Sequence, residues 1–479
     1  MEFSDKWIDC TLGDFLTLKN GYTFKSEDYT NEGLPIIRIS DIQDGEVKTD
    51  DSVRIDKSKI KEGFEIKKGD VLVAMSGATT GKLGRYVSDE IAFQNQRVGN
   101  LIPKDPRIDK SFIYYWVSIH KKDIEDQAYG GAQPNISSKL IEEIPTRIPP
   151  LPEQKRIVAK LDNLFAHLDQ LKARLQNIPT LLKQFRQAVL TQAVTGKLTE
   201  EWRKHNAKIE TATLLLEKIK SNRTGQKSRK LAEIENTNNS ILPHTWKWCQ
   251  LDEISLLITD GKHGDCKNEI NSGYYFLSAK DISNGCLNYD KAREIVYEEF
   301  YETHRRTNLE EGDICVVNTG ATVGKSAIAL NNEFTTRTTF QKSVAVIKLF
   351  KESIEPKYIN YIIELETPRI LQKSGGSAIN NWLLSEMRAF WCQLPPTAEQ
   401  KEIVRRVESL FAVADRIEAN YKKLQEKIDH LPQAILSKAF RGELVPQDEN
   451  DQPASVLLDK ILRESAQNLK SKEKLKQLA

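Results

Sequence analysis

The chain has 479 residues, 39% of them apolar and 29% charged, with a formal net charge of +2. That length suits about two to four domains of ordinary soluble composition, and excludes disordered, collagen-like and membrane-spanning classes. No stretch approaches the roughly 20 consecutive apolar residues that a membrane span needs. Six cysteines (10, 249, 266, 286, 315 and 392) are scattered without a CxxC pair. This argues against a disulfide framework or structural zinc site and fits a reducing, cytoplasmic setting. The N-terminal MEFSDKWIDC lacks a basic region followed by an apolar core, so no secretion signal is expected.

The first 148 residues read as mixed strand and helix. LPIIRIS (34–40) and VLVAMS (71–76) are β-branched runs bounded by turn residues, and 111–119 reads as a helix. Pro149-Pro150 ends this domain. A helical segment follows in which Leu161, Leu164, Leu168, Leu171, Leu175, Ile178, Leu182, Phe185 and Val189 alternate spacings of three and four. Residues 221–241 are polar and read as an exposed linker. A second mixed domain runs over 242–394, with strands in DICVVNT (313–319) and SVAVIKL (343–349) and a helix at 357–366. After Pro395-Pro396, Val407, Leu410, Ala414, Ile417, Tyr421, Leu424, Ile428, Leu431 and Ile435 repeat the nine-position pattern. Residues 446–479 read as a C-terminal tail, basic and fraying at SKEKLKQLA.

The chain is therefore a duplication. Residues 149–199 align with 395–445 at a single offset of 246, with 18 identities in 51 positions. Glu153-Gln154-Lys155 matches Glu399-Gln400-Lys401, and Gly196-x-Leu198 matches Gly442-x-Leu444. Upstream, Trp7-x-x-Cys10-x-Leu12 matches Trp246-x-x-Cys249-x-Leu251. The expected organisation is a domain over 1–148, a central helical repeat over 149–220, the linker over 221–241, a domain over 242–394, a second helical repeat over 395–445, and the tail. Glu153 and Glu399 fall in first helical turns, where negative charge suits the helix dipole.

Four heptads of matched phase predict that the two helical segments pack on each other. The seam includes Leu164, Leu168, Leu171 and Leu175 from the first, and Leu410, Ile417, Tyr421 and Leu424 from the second. The plain alternative is two unrelated amphipathic helices, each packed on its own domain. Pro179 and Pro432 interrupt the segments at different repeat positions, and an interior proline kinks or breaks a helix. Two like domains joined by two like antiparallel helices make a pseudo-twofold object. About 29 residues of seam span about 43 Å, against about 34–36 Å between DNA half-sites one turn apart.

Charge does not announce a nucleic-acid binder. Residues 1–148 hold 21 basic and 25 acidic side chains, and 246–394 hold 17 and 20. The basic excess lies in 149–245, with 17 basic against 9 acidic. If the domains touch DNA, other subunits must supply much of the phosphate neutralisation.

GATTGK (77–82) and GATVGKS (320–326) resemble phosphate loops, but place three residues between the glycines where GxxxxGK[ST] needs four. They read as glycine turns after strands, able to present Thr79, Lys82, Thr322 and Lys325 to DNA phosphates. GGAQPNISSK (130–139) and GGSAINNWLLSE (375–386) precede the helical segments. Their Gln133, Asn135, Asn380 and Asn381 either read adenine edges or cap the following turn. His263, near Asp260, Asp265 and Cys266, is a weak metal candidate and reads better as a surface loop. Asp56 followed by Glu65-Ile66-Lys67 faintly resembles a nuclease carboxylate arrangement, but that spacing is common by chance. No catalytic motif occurs, and the chain is expected to catalyse nothing alone.

The order of variable domain, PPLPEQKRIVAKLD helix ending AVTGKLTEEWR, variable domain, and PPTAEQKEIVRRVE helix ending AFRGELVPQ resembles the specificity subunit of type I restriction–modification systems. LPHTWKWCQLDEI (242–254) and the GATxGK turns are also similar to that family's target-recognition domains. The resemblance covers nearly the whole chain. It implies a mixed α/β fold (α+β), with two target-recognition domains separated by two long helices in an antiparallel coiled coil. Each domain would read one half of an asymmetric, interrupted site on double-stranded DNA. It also implies two methylation subunits and two restriction/translocation subunits as partners. S-adenosylmethionine, ATP and magnesium would belong to those partners, with no cofactor on this chain. The alternatives are a recognition subunit of a methylation-only or phage-defence complex, a non-DNA coiled-coil adaptor, and an NTPase using the glycine turns.

Overall fold

The computed structural model describes residues 6–43, 45–77, 79–128, 135–223, 241–374 and 380–478. Gln133, and residues 224–240 of the linker expected over 221–241, lie outside the described residues, and the first two residues of that linker instead end the helix Ala212–Asn222. The chain forms two compact units. One joins residues 1–176 to 422–479, and the other is the continuous stretch 177–421. The divisions fall inside the two helical repeats, so each unit combines a variable domain with helices drawn from both repeats.

The strands form where β-branched runs can be buried on both faces. Val71–Ala74 and Ile314–Val317 are buried at all four positions and sit inside their sheets. In the first unit, the main sheet has the order Leu16–Asn20, Val98–Pro103, Val71–Ala74, Leu83–Tyr86, Gly45–Val47, Ile42–Gln43. The second unit repeats its first four strands as Ser255–Asp260, Val344–Leu349, Ile314–Val317, Ser326–Ile328. Each domain is closed at its ends by an antiparallel clasp, Ile8–Thr11 with Pro145–Ile148 and Lys247–Gln250 with Trp391–Leu394. The expected helices appear as Lys110–Ile119 and Pro356–Ser374, the second longer than its pattern. The domains differ most where the second carries the helix Tyr297–Thr307; the first has only a short turn at Lys57–Lys59.

The first helical repeat forms Leu151–Gln176 and Ile178–Val194, and the second forms one helix, Thr397–Phe440. Pro179 lies in the first turn of its helix, where its missing N–H has no intrahelical acceptor to lose. Pro432 lies inside the long helix. In the second unit the pairing is antiparallel. Arg186 meets Asp415 at 2.8 Å and Glu418 at 3.1 Å, while Leu190 and Val194, further along, share a core with Ile403, Val404 and Val407. In the first unit, Ile157, Leu161 and Phe165 share a core with Ile435, Leu436, Ala439 and Phe440.

Only half of the expected seam is closed. Leu161, Leu168, Leu175, Leu182 and Val189, seven residues apart, are buried, as are Val407, Ala414 and Ile428. Leu164, Leu410 and Tyr421 are half-buried. Leu171, Ile417 and Leu424 remain 39%, 46% and 39% exposed. A single partner helix covers one heptad position per two turns here, leaving the second position as an apolar stripe facing outward.

The last 26 residues, expected within a tail, contain the helix Ala454–Leu478. Its Ala454, Leu457, Leu458 and Ile461 are buried in the core of the first unit. In the second unit Ala212, Leu215 and Ile219 of the helix Ala212–Asn222 are buried in the same spacing. No described helix is long and apolar enough to cross a membrane.

Candidate nucleic-acid interface

The sheet registers gather three loops on one rim of each domain. In the first unit Asn20 pairs with Gly99, Ala74 with Val98, and Leu83 with Val73. The ends of two strands and the starts of two others therefore coincide. The second unit repeats this, with Asp260 opposite Ala345, Val317 opposite Val344, and Ser326 opposite Val316. The loops beginning at Gly21 and Gly261, the two glycine turns, and the turns Asn95–Val98 and Gln341–Val344 all emerge on these rims.

The glycine turns are hairpin connections between strands, with no helix after them. Their amides are used internally. Thr80 N donates to Gly77 O at 3.1 Å, Gly81 N to Ala74 O at 2.9 Å, and Lys82 N to Thr79 O at 3.0 Å. The second copy does the same from Val323, Gly324 and Lys325 at 3.3, 2.9 and 3.1 Å. A phosphate loop needs free amides ahead of a helix N-terminus, so these turns do not build an NTP site. Gly81 and Gly324 have φ of +87° and +89°, and a Cβ would lie 2.5 Å from Glu125 or 2.8 Å from Thr367. Both glycines are therefore required by conformation and by packing. Thr79 Oγ1 donates to Ile39 O at 3.2 Å; Lys82 and Thr322 are half-buried, and Lys325 is exposed.

The amide loops come to the same rims. A bridge joins Ser76 to Asn135, and another joins Thr319 to Asn381. Ile136 N donates to Met75 O at 2.7 Å, and Gly320 N donates to Asn380 O at 2.9 Å. The capping alternative does not hold at these residues. Ser137 Oγ accepts from Leu140 N at 3.1 Å, and the Glu386 carboxylate accepts from Leu383 N at 2.8 Å. Asn135 and Asn381 are exposed, and Asn381 Oδ1 accepts from Thr319 Oγ1 at 3.2 Å. Thr79, Lys82 and Asn135 thus share one rim, and Thr322, Lys325, Asn380 and Asn381 share the other.

The remaining candidates take local structural roles. His263 Nε2 lies 3.1 Å from Asp260 Oδ2, and Asp260 also pairs with Arg306. Asp265 pairs with Arg293, which holds its carboxyl below the usual range. No group of three potential metal ligands exists among the described residues. Asp56 accepts from Ser58 N at 2.8 Å, and Glu65 accepts from Gly63 N at 2.8 Å. All six cysteines are free thiols. Burial pushes Cys10 up to about 12 and raises Cys249, Cys315 and Cys392 as well, so none of these four is an activated nucleophile.

Sequence reasoning missed two features. One is a buried link beneath each domain. Trp7 Nε1 donates to Glu153 Oε2 at 3.0 Å, and Trp246 Nε1 donates to Glu399 Oε2 at 2.9 Å. Both carboxylates are buried, so they anchor the helix starts rather than merely facing the dipole. The repeated Trp and Glu were the available signal. The other is the pair of four-residue turns at Asn95–Val98 and Gln341–Val344, visible only as short polar runs between apolar strands.

The description "Type I restriction modification DNA specificity domain" matches residues 4–180 and 243–426. The chain is 30% identical to the type I restriction enzyme EcoBI specificity subunit of Escherichia coli over 97% of this chain and 94% of that one. It is 29% identical to the EcoKI specificity subunit of Escherichia coli strain K12, over 96% of each chain. Its fold is similar to that of the HsdS subunit from Thermoanaerobacter tengcongensis, with a TM-score of 0.58 and 15% identity. That match covers 92% of this chain and 98% of the other. With two matched copies of the domain and full-length relatives, the chain belongs to the family of type I restriction–modification DNA specificity subunits.

Proposed function

We infer that this chain is the DNA sequence-recognition subunit of a type I restriction–modification complex. The observation that carries this is the rim built twice, each time on the same four strands, with a glycine turn beside an amide loop. Each rim reads one half of a bipartite site, and the different side chains on the two rims make the half-sites unlike. Thr79, Lys82, Thr322 and Lys325 contact phosphates, while Asn135, Asn380 and Asn381 contact base edges. Gln133 belongs with that second group.

The exposed apolar positions, Leu171 and Leu424 in the first unit and Ile417 in the second, support docking of methylation subunits along the helices, two per chain by the internal repeat. Two restriction/translocation subunits would complete the complex. S-adenosylmethionine, ATP and magnesium are assigned to these partners. The near-balanced charge of the recognition domains also suits shared phosphate contact, because one subunit alone neutralises few phosphates.

The test is methylation mapping of DNA modified by the chain assembled with its methylation subunits. The expected result is a two-part site, in which replacing residues 1–148 by another recognition domain changes one part. Methylation without sequence preference, or a swap that alters both parts, overturns the reading.

A further inference from the structure

We propose that the turns Asn95–Val98 and Gln341–Val344 are specificity-determining elements, reading base edges through Gln96 and Arg97 on one rim and Lys342 on the other. This rests on the reading of both rims as DNA-facing.

The two turns share a backbone frame. Val98 N donates to Asn95 O at 2.9 Å, and Val344 N donates to Gln341 O at 3.0 Å. Each is wedged between its neighbours on the rim. Met75 N donates to Arg97 O, and Asn318 N to Ser343 O, both at 3.0 Å. On the other side Tyr22 N donates to Gln94 O at 2.9 Å, and Lys262 N to Phe340 O at 2.7 Å. The approach is so close that a Cβ on Gly21 would lie 1.9 Å from Asn95 O, and one on Gly261 1.9 Å from Phe340 O. In the first copy buried Gln94 braces the turn from beneath, its Nε2 donating to Lys19 O and Val98 O at 2.6 Å each.

The tips differ. Gln96 and Arg97 stand at the middle of one turn, and Lys342 and Ser343 at the middle of the other. Gln96, Arg97 and Lys342 are exposed, and Arg97 and Lys342 form no ion pair among the described residues. The fold thus holds the backbone in place, with half-buried Ser343 Oγ accepting from Ala279 N at 3.3 Å, and leaves Gln96, Arg97 and Lys342 exposed at the tips. A rigid frame with interchangeable tips suits base reading, which needs placement within a fraction of an ångström. Arginine pairs bidentately with guanine O6 and N7, glutamine with adenine N6 and N7, and lysine with guanine.

The experiment uses the full chain assembled with its methylation subunits, and duplexes in which each base pair of the site is varied in turn. Three variants are compared with wild type: Arg97→Ala, Arg97→Lys and the double change Gln96→Lys with Arg97→Ser. Arg97→Ala is expected to relax discrimination at one base pair of one half-site by about 10–100-fold. Arg97→Lys keeps the charge but loses the bidentate fork, so discrimination falls while the salt dependence is retained. The double change is expected to alter the preferred base at that position. The untouched half-site is the internal control for folding and assembly. Unchanged discrimination at every position overturns the proposal. So does a uniform loss of binding with a shallower salt dependence, the signature of a phosphate contact. A wild-type complex without any base preference overturns the functional reading, and this proposal with it.

Discussion

Glu153 and Glu399 occupy the same repeat position, are both buried, and both accept an indole N–H, yet their surroundings differ. Glu399 Oε1 also accepts from Thr199 Oγ1 at 2.7 Å and from Arg203. Glu153 Oε1 has no hydrogen-bond partner among the described residues, and the nearby Arg156 pairs with Asp451 at 2.7 Å. At the repeat offset of 246, Val445 stands for Thr199 and Glu449 for Arg203. Burial consequently holds the Glu153 carboxyl above its ordinary value, opposed by the Trp7 hydrogen bond and the charge of Arg156. The duplication has kept the apolar frame and the Trp–Glu link while the charges around them drifted. An internal repeat therefore reports the frame of a fold better than its electrostatics.

The largest expected effect breaks the symmetry between the units. Ending the chain at residue 421 removes Leu436, Ala439, Phe440, Leu457, Leu458 and Ile461 from the first unit's core. Each large side chain lost from a core costs about 2–5 kcal/mol, so that unit should not fold. The second unit is continuous over 177–421 and should remain. Hydrogen exchange resolves the outcome; equal protection of both units in the truncated chain would contradict the division.

Arg203→Ala leaves buried Glu399 without its cation and is expected to destabilise the second unit by about 3–5 kcal/mol. Urea unfolding followed in that unit measures it. Glu399→Gln should cost less, about 2–3 kcal/mol, because the uncompensated group is then Arg203, which is partly solvated. Protection unaffected by either change would show that the pair is incidental.

Glu153→Gln sharpens the contrast. It keeps an acceptor for the Trp7 indole and removes a poorly compensated charge. The first unit should stay within about 1 kcal/mol of wild type at neutral pH, or gain. The pH dependence has a definite sign. Glu153 binds its proton more tightly folded than unfolded, where its value is 4.5. Its contribution is therefore full below about pH 4.5 and declines as pH rises through the folded value. Wild type should lose stability across that window relative to the Gln variant. Parallel pH profiles for the two proteins would refute the assignment.

Much of this architecture was legible. The duplication was plain from Glu-Gln-Lys and Gly-x-Leu, and the strands at 71–76 and 313–319 from their branched runs. The segment ATLLLEKI (212–219) also matches ASVLLDKI (454–461) in five of eight residues. That match marks 454–461 as a structural helix, although its charged surroundings resemble a tail. The rims were not legible. Asn95–Arg97 begins 13 residues after the glycine turn ends at Lys82 and meets it only through the pairing of Val98 with Ala74.

Local pattern alone determined that there are two like domains, two long apolar stripes and no assembled phosphate loop, because periodicity, glycine spacing and composition are properties of neighbouring residues. Tertiary structure decided the rest. It chose which heptad position is closed, because burial depends on how a helix is rotated toward its partner. It determined that residues 454–461 complete the first unit rather than trail from it. It also brought a glycine turn, an amide loop and a tight turn to one rim, because sheet register, a relation between distant segments, sets which loops become neighbours.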